Sequence, residues 1–303
     1  MDYINNISIN DVKTIISDTE YYKNTDTRLN IFNKLIFGLV FYEPSTRTSL
    51  SFESAIYRLG GKCIKYNNIV SSERKGESFI DTIKMIENYV DVIIIRHPDA
   101  NMIDLLHNTI KKPFINAGNG ADEHPTQALI DYYTITESYA KLPTSIAFTG
   151  DIKYSRTIHS LVYLLSRLSN ITFYFVCDTE LQPSGKFKQF LDTISNKYVV
   201  IDDITDIISK IDILYITRLQ NERYNISQTK NHIVPTISKK TIQSSKKSLI
   251  ILHPLPRNNE LNTDLDNDSK SKYFQQANNG VYVRMAILKY ICFKYYKNLM
   301  CYD

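Results

Sequence analysis

Cysteine is scarce in this sequence: Cys63, Cys177, Cys292 and Cys301 are the only four among 303 residues. No two form a Cys-x-x-Cys pair, so neither a structural zinc framework nor a disulfide scaffold can be read from them. An excess of one charge is lacking as well, with 36 Lys and Arg against 32 Asp and Glu. The formal net charge is +4, without a dense Lys/Arg block. Nucleic-acid binders concentrate such charge on one face, so no nucleic-acid partner is expected. No apolar run approaches the ~20 residues that a membrane span requires. The opening stretch MDYINNISIND has neither a basic n-region nor an apolar h-region. No secretory signal is expected, and the protein reads as soluble and cytoplasmic. Nucleotide loops are missing too. There is no Gly-x-x-x-x-Gly-Lys, and Gly118-Asn119-Gly120 lacks the third glycine of Gly-x-Gly-x-x-Gly. No His/Asp/Glu cluster has metal-ligand spacing, so no metal site is expected.

What remains is ordinary globular composition, 43% hydrophobic and 22% charged, which excludes disordered and fibrous classes. The length suits two domains of roughly 150 residues. Short apolar runs alternate with helical periodicity, the signature of parallel α/β architecture. Strands are expected at Ile36 to Tyr42, Val92 to Ile95, Ser145 to Thr149, Ile171 to Val176, Ile213 to Ile216 and Leu249 to Leu252. Helical faces are read at Phe52/Ala55/Ile56/Leu59, Phe79/Ile83/Ile86/Val90, Ile158/Leu161/Val162/Leu165 and Val281/Met285/Leu288/Cys292. Another helix should run from Pro125 to about Tyr139, proline favouring the first turn. Ser184 to Lys188 and Asn258 to Lys272 read as polar loops, and Asn116 to Gly120 as a turn. The junction between the halves falls close to Ala140–Pro143.

Strand, then Glu43-Pro44-Ser45-Thr46-Arg47-Thr48, then helix is the most informative segment. A helix N-terminus leaves N–H groups unpaired and carries partial positive charge, and an Arg fork matches phosphate oxygens. Two readings fit it: a phosphate cradle, or a plain Ser/Thr N-cap beside a surface Arg. Other marked segments also follow strands or precede helices. They are Ser71 to Ser78 with Lys75, Arg96-His97-Pro98, and His124-Pro125-Thr126-Gln127. In the second half come Gly150-Asp151 with Arg156, Arg218-Leu219-Gln220 with Glu222-Arg223, and His253-Pro254-Leu255-Pro256-Arg257. Each alone suits a surface ion pair or a structural histidine. Their joint placement favours a cleft for an anionic substrate.

These residues resemble the aspartate carbamoyltransferase (aspartate transcarbamylase) catalytic chain almost end to end. The likeness includes Phe41 to Thr48, Leu50 to Glu53, Lys75 to Ser78 with Asp81-Thr82, Arg156 to Leu161, Arg218 to Arg223, His253 to Arg257 and Tyr273 to Ala277. The resemblance implies an α/β fold of two domains, each a mainly parallel sheet flanked by helices, with the C-terminal helix packing back on the first domain. Residues 1–134, completed by helix 281–303, would bind carbamoyl phosphate, and residues 135–280 would bind aspartate. It implies transfer of the carbamoyl group of carbamoyl phosphate to the amine of L-aspartate, in pyrimidine biosynthesis. Ser45, Thr46, Arg47 and Thr48 would hold the phosphate. Thr48, Arg96 and His124 would donate to the carbonyl oxygen, making Arg47, Thr48, Arg96 and His124 the catalytic set. Gln127 and the carbonyls of Pro254 and Leu255 would hold the carbamoyl NH₂, the Leu255-Pro256 bond being cis. Arg156, Arg218 and Gln220 would take aspartate's carboxylates. Ser71 and Lys75 would arrive from a neighbouring chain of a homotrimer with shared sites. No metal or organic cofactor is implied, because carbamoyl phosphate carries its own activated leaving group. Departures are small: Ser49 where the family often has Arg, and Asn119 where it often has Asp. The alternatives are ornithine carbamoyltransferase and an inactive homologue serving as a binding or regulatory protein. Whether regulatory chains bind is left open.

Overall fold

The computed structural model describes residues 1–25, 28–67, 71–220 and 234–300, without the side chains of Ser72 and Arg74. Cys301 and the Asn221-Glu222-Arg223 end of one motif lie outside the described residues. The chain divides into two compact units, Met1–Ile130 with Asn278–Asp303, and Asp131–Ala277.

In the first unit the helices are α1 (Ile9–Thr25), α2 (Thr46–Arg58), α3 (Phe79–Tyr89), α4 (Met102–Thr109) and the start of α5 (Pro125–Ser138). The strands are β1 (Ile36–Phe41), β2 (Lys62–Tyr66), β3 (Val92–His97) and β4 (Phe114–Asn119), in the order β2-β1-β3-β4. Every pairing is parallel. β1 and β3 are near-continuous apolar runs, Ile-Phe-Gly-Leu-Val-Phe and Val-Ile-Ile-Ile, as strands covered on both faces must be. Phe52, Ala55 and Ile56 turn one side of α2 into the core.

The second unit repeats the plan. Here β5 (Ser145–Thr149), α6 (Arg156–Leu168), β6 (Thr172–Val176), α7 (Gly185–Thr193), β7 (Tyr198–Ile201), β8 (Ile213–Ile216) and β9 (Ile250–Leu252) form a parallel sheet in the order β7-β6-β5-β8-β9. The chain ends in α8 (Tyr273–Tyr296), which packs back on the first unit. Lys289 Nζ lies 2.7 Å from Asp18, the Tyr290 hydroxyl 3.1 Å from Asp11, and Lys23 Nζ 2.8 Å from Asn279. The Arg284 guanidinium stands 4.9 Å over the Phe52 ring. Among the described residues, no helix is long and apolar enough to cross a membrane.

Two local expectations are corrected. Ser184 to Lys188 is not a loop but the start of α7. Only Phe187 and Leu191 mark its buried face, and Phe187 stacks on His159 at 4.2 Å, a tertiary contact that outweighs weak periodicity. Asn116 to Gly120 is mostly strand: all six residues of β4 are buried. Its polar groups are satisfied internally, Asn116 Nδ2 donating to Asp2 O at 2.9 Å and Gly118 N–H to Asn116 Oδ1 at 2.8 Å.

Strand order fixes where ligand groups gather. From β1 the chain crosses to β2 on one side, while from β3 it crosses to β4 on the other. Such a reversal opens a crevice outside the carboxyl ends of the two strands. The second sheet reverses likewise between β5 and β8.

Candidate functional site

At the first reversal, β1 and β3 pair in register, Phe41 opposite Arg96. The loop leaving β1 therefore runs alongside the Arg96 side chain. Arg96 Nε donates to Glu43 Oε2 at 3.1 Å and Nη1 to Ser45 Oγ at 3.1 Å. Ser45 sits at the N-cap of α2, yet its hydroxyl makes no capping bond. The first intrahelical bond there is Ser49 N–H to Ser45 O, 3.1 Å. Thr46, Arg47 and Thr48 thus form the first turn, and no acidic side chain opposes its partial positive charge. Ser45 is therefore not a plain side-chain cap.

His124 and Gln127 share the opening turn of α5, Gln127 N–H donating to His124 O at 3.0 Å. Both β3 and β4 end here, and Gly120 N–H closes the corner on His97 O at 2.9 Å. His124 is buried, its Nδ1 3.3 Å from the Thr126 hydroxyl. Burial holds the neighbouring His97 below the usual imidazole range. Ser71 precedes, and Lys75 ends, a short 3-10 turn, Ser72–Lys75, ahead of α3. That turn is tied to the end of β1 through the Tyr42 hydroxyl, which donates to Glu73 Oε1 at 2.5 Å. Burial and this bond push the Tyr42 phenol well above its ordinary value, so it remains a donor. Lys75 is exposed.

At the second reversal, Asp151 joins two loops. Its Oδ1 accepts from Tyr154 N–H at 3.0 Å and its Oδ2 from Gln220 N–H at 3.1 Å. The Gln220 side chain then donates to Tyr154 O at 2.8 Å, which sets it beside the start of α6. Arg156, the first residue of α6, is buried, and no acid occupies that first turn. Arg218 donates to Leu219 O at 2.9 Å. The approach of β5 to β8 requires Gly150. Its φ is +108°, and a Cβ there would fall 1.9 Å from Thr217 O. After β9, Leu255 adopts φ +54° and the Leu255-Pro256 peptide is cis, the isomer that the resemblance implied.

Family models match both halves. Residues 3–137 match the aspartate/ornithine carbamoyltransferase carbamoyl-P binding domain, and residues 143–291 the Asp/Orn binding domain. The aspartate carbamoyltransferase catalytic subunit of Wigglesworthia glossinidia brevipalpis is 45% identical over 295 residues, 95% of this chain and 94% of that one. The chain belongs to the aspartate carbamoyltransferase family. Another member, the catalytic subunit of Methanocaldococcus jannaschii, is 42% identical over 88% of each chain. Among solved structures, aspartate transcarbamoylase from Trypanosoma cruzi in complex with carbamoyl phosphate and aspartate superposes with a TM-score of 0.87. It is 35% identical, covering 95% of this chain and 93% of that chain. The same enzyme with N-(phosphonacetyl)-L-aspartic acid gives 0.88 at 35% identity, over 95% and 94%. Glu43 and Asp151 stand within marked segments of the sequence, but no role attaches to either from sequence alone. Glu43 orients Arg96, and Asp151 orients Gln220. Their only sequence signal is position, each standing just past the carboxyl end of a strand.

Proposed function

We propose that this aspartate carbamoyltransferase family member transfers the carbamoyl group of carbamoyl phosphate to the amine of L-aspartate. The products are N-carbamoyl-L-aspartate and phosphate, supplied to pyrimidine biosynthesis. The observation that carries the residue assignment is the Arg96–Ser45 bond at an acid-free helix start. Ser45, Thr46, Arg47 and Thr48 hold the phosphate group, with Arg47 balancing charge on it as it departs. The amine attacks the carbamoyl carbon, and negative charge grows on the carbonyl oxygen. Thr48, Arg96 and His124 donate to that oxygen. The Thr126 hydroxyl, 3.3 Å from His124 Nδ1, can donate to it, the arrangement in which the ring's proton sits on Nε2 and is free to be donated. Donors fixed before the reaction begins are worth about 10²–10³ in rate each. Gln127 and the carbonyls of Pro254 and Leu255 take the carbamoyl NH₂. Two cations and an amide, Arg156, Arg218 and Gln220, take the two carboxylates of aspartate, a pairing that ornithine's side-chain amine does not match. The departing phosphate accepts the proton released by the amine.

The unit of function is a cytoplasmic homotrimer, each site completed by Ser71 and Lys75 of a neighbouring chain. Its active state then depends on association. Purified protein given carbamoyl phosphate with either aspartate or ornithine should form carbamoyl-aspartate alone. Turnover of ornithine, or of neither amine, would overturn this reading.

A further inference from the structure

The second unit buries a chain of polar side chains for which the reaction above has no use. His253 is 1% exposed and Glu260 5%. His253 Nδ1 accepts from Leu255 N–H at 2.8 Å, so that nitrogen carries a lone pair. The other nitrogen, Nε2, lies 2.9 Å from Glu260 Oε1 and therefore holds the ring's proton. Glu260 Oε1 also accepts from Asn258 N–H at 2.9 Å. Burial works to raise the Glu260 carboxyl, but the bonds from His253 and Asn258 outweigh it and keep the group below its usual value. In the other direction, His253 N–H donates to Gln276 Oε1 at 2.9 Å, and Gln276 Nε2 to Asp131 Oδ1 at 2.6 Å. The Tyr215 hydroxyl closes the chain on Asp131 Oδ2 at 2.7 Å.

The links from Tyr215 through Asp131, Gln276 and His253 to Glu260 are bonds between buried groups, and the chain grips the backbone at residues 253, 255 and 258. Leu255 is where that grip matters. Its φ of +54° is a conformation L side chains seldom adopt, so its surroundings must impose it. The carbonyls of Pro254 and Leu255 point wherever this backbone aims them.

We propose that His253 and Glu260 are positioning residues. Clamped to the N–H groups of Leu255 and Asn258, they aim the Pro254 and Leu255 carbonyls at the amino group of the carbamoyl substrate. This rests on the reading of those two carbonyls given above. Carbamoyl phosphate and inorganic phosphate share a phosphate group, but only the first has an amino group. The pair should therefore govern the difference between the two ligands and not phosphate binding itself.

The test is calorimetric titration of carbamoyl phosphate and of inorganic phosphate into wild type, His253→Asn, Glu260→Leu and Glu260→Gln, with melting curves alongside. An asparagine at 253 can still accept from Leu255 N–H but is too short to reach Glu260. A leucine at 260 removes the oxygen that takes both bonds, whereas the glutamine amide oxygen can still accept them. His253→Asn and Glu260→Leu should weaken carbamoyl phosphate about tenfold with phosphate unchanged. Glu260→Gln should keep a ratio close to wild type. Equal ratios in all four proteins overturn the proposal. A parallel loss of both ligands assigns the pair to stability alone and overturns it too. Should Glu260→Leu fail to fold, His253→Asn against Glu260→Gln carries the same comparison. If wild type itself does not prefer carbamoyl phosphate to phosphate, the carbonyl reading has failed and the proposal falls with it, recognisable without any variant.

Discussion

Arg96 reaches across 51 positions of sequence to donate to the Ser45 hydroxyl at 3.1 Å. The guanidinium is steadied from behind by Glu43, also at 3.1 Å. Ser45 is consequently committed to an arginine instead of to the helix that it precedes.

That commitment separates Ser45 from an ordinary cap. At the start of α3, Ser78 Oγ does accept from Asp81 N–H, 3.1 Å away. A working cap hydroxyl contributes about 0.5–2 kcal/mol. Urea melts should show that loss for Ser78→Ala and less than ~0.5 kcal/mol for Ser45→Ala. Phosphate affinity should respond in the opposite order, falling about fivefold for Ser45→Ala and staying level for Ser78→Ala. Equal losses of stability would return Ser45 to a capping role.

Sharing of sites between chains has its own signature. Arg47→Ala and Lys75→Ala trimers should each be nearly inactive. Mixed trimers should regain activity, because some sites then draw Arg47 from a Lys75→Ala chain and Lys75 from a neighbouring Arg47→Ala chain. Mass spectrometry must verify that the mixed species form. Verified mixed trimers without recovered turnover would remove Lys75 from the neighbour's site.

Two glycines with positive φ should respond very differently to alanine. At Gly150 the new Cβ would lie 1.9 Å from the Thr217 carbonyl oxygen, and neither strand end can yield without breaking the β5–β8 register. Gly150→Ala should lose more than ~3 kcal/mol or fail to fold. Gly185 has φ +56° but nothing within 4 Å of a Cβ, so Gly185→Ala should lose only ~1–2 kcal/mol. Comparable denaturation midpoints for the two would contradict the close approach.

Acid should unmask a further contact. Asp266 accepts from both Nη groups of Arg257 and from the Tyr273 hydroxyl, and the Arg257 bonds take its carboxyl down to about 2. A carboxylate whose folded value is depressed stabilises above its unfolded value, ~3.9, and that stabilisation is lost as pH falls through about 2. Wild type should melt a few degrees above Asp266→Asn near neutrality. The gap should close between about pH 4 and pH 2. A gap independent of pH would mean that shape and not charge matters at this position.

Much of the fold was legible because the central strands are largely apolar and α2 and α3 bury clean stripes. The missed elements lacked those signals for physical reasons. β2, Lys-Cys-Ile-Lys-Tyr, is an edge strand with no fully buried residue, so nothing forces it to be apolar. β4 is fully buried yet carries Asn116 and Asn119, whose amides bond to backbone and to each other. Buried asparagines that satisfy one another read in sequence as a turn. For the candidate site, the helix-start tetrapeptide was visible as a string. That Arg96 should lie against Ser45 depends on β1 pairing with β3 instead of with β2 alone, which no local pattern encodes.

The second unit is one unbroken stretch, 131–277, whereas the first is made of residues 1–130 and 278–303. During vectorial synthesis all parts of the second unit leave the ribosome before the first has all of its own. The nascent first half must wait, with Asp11 and Asp18 lacking Tyr290 and Lys289, until the last helix is translated. The unit 131–277 is therefore the first of the two that can be completed, and the unit holding residues 1–130 is completed only when the later stretch has followed.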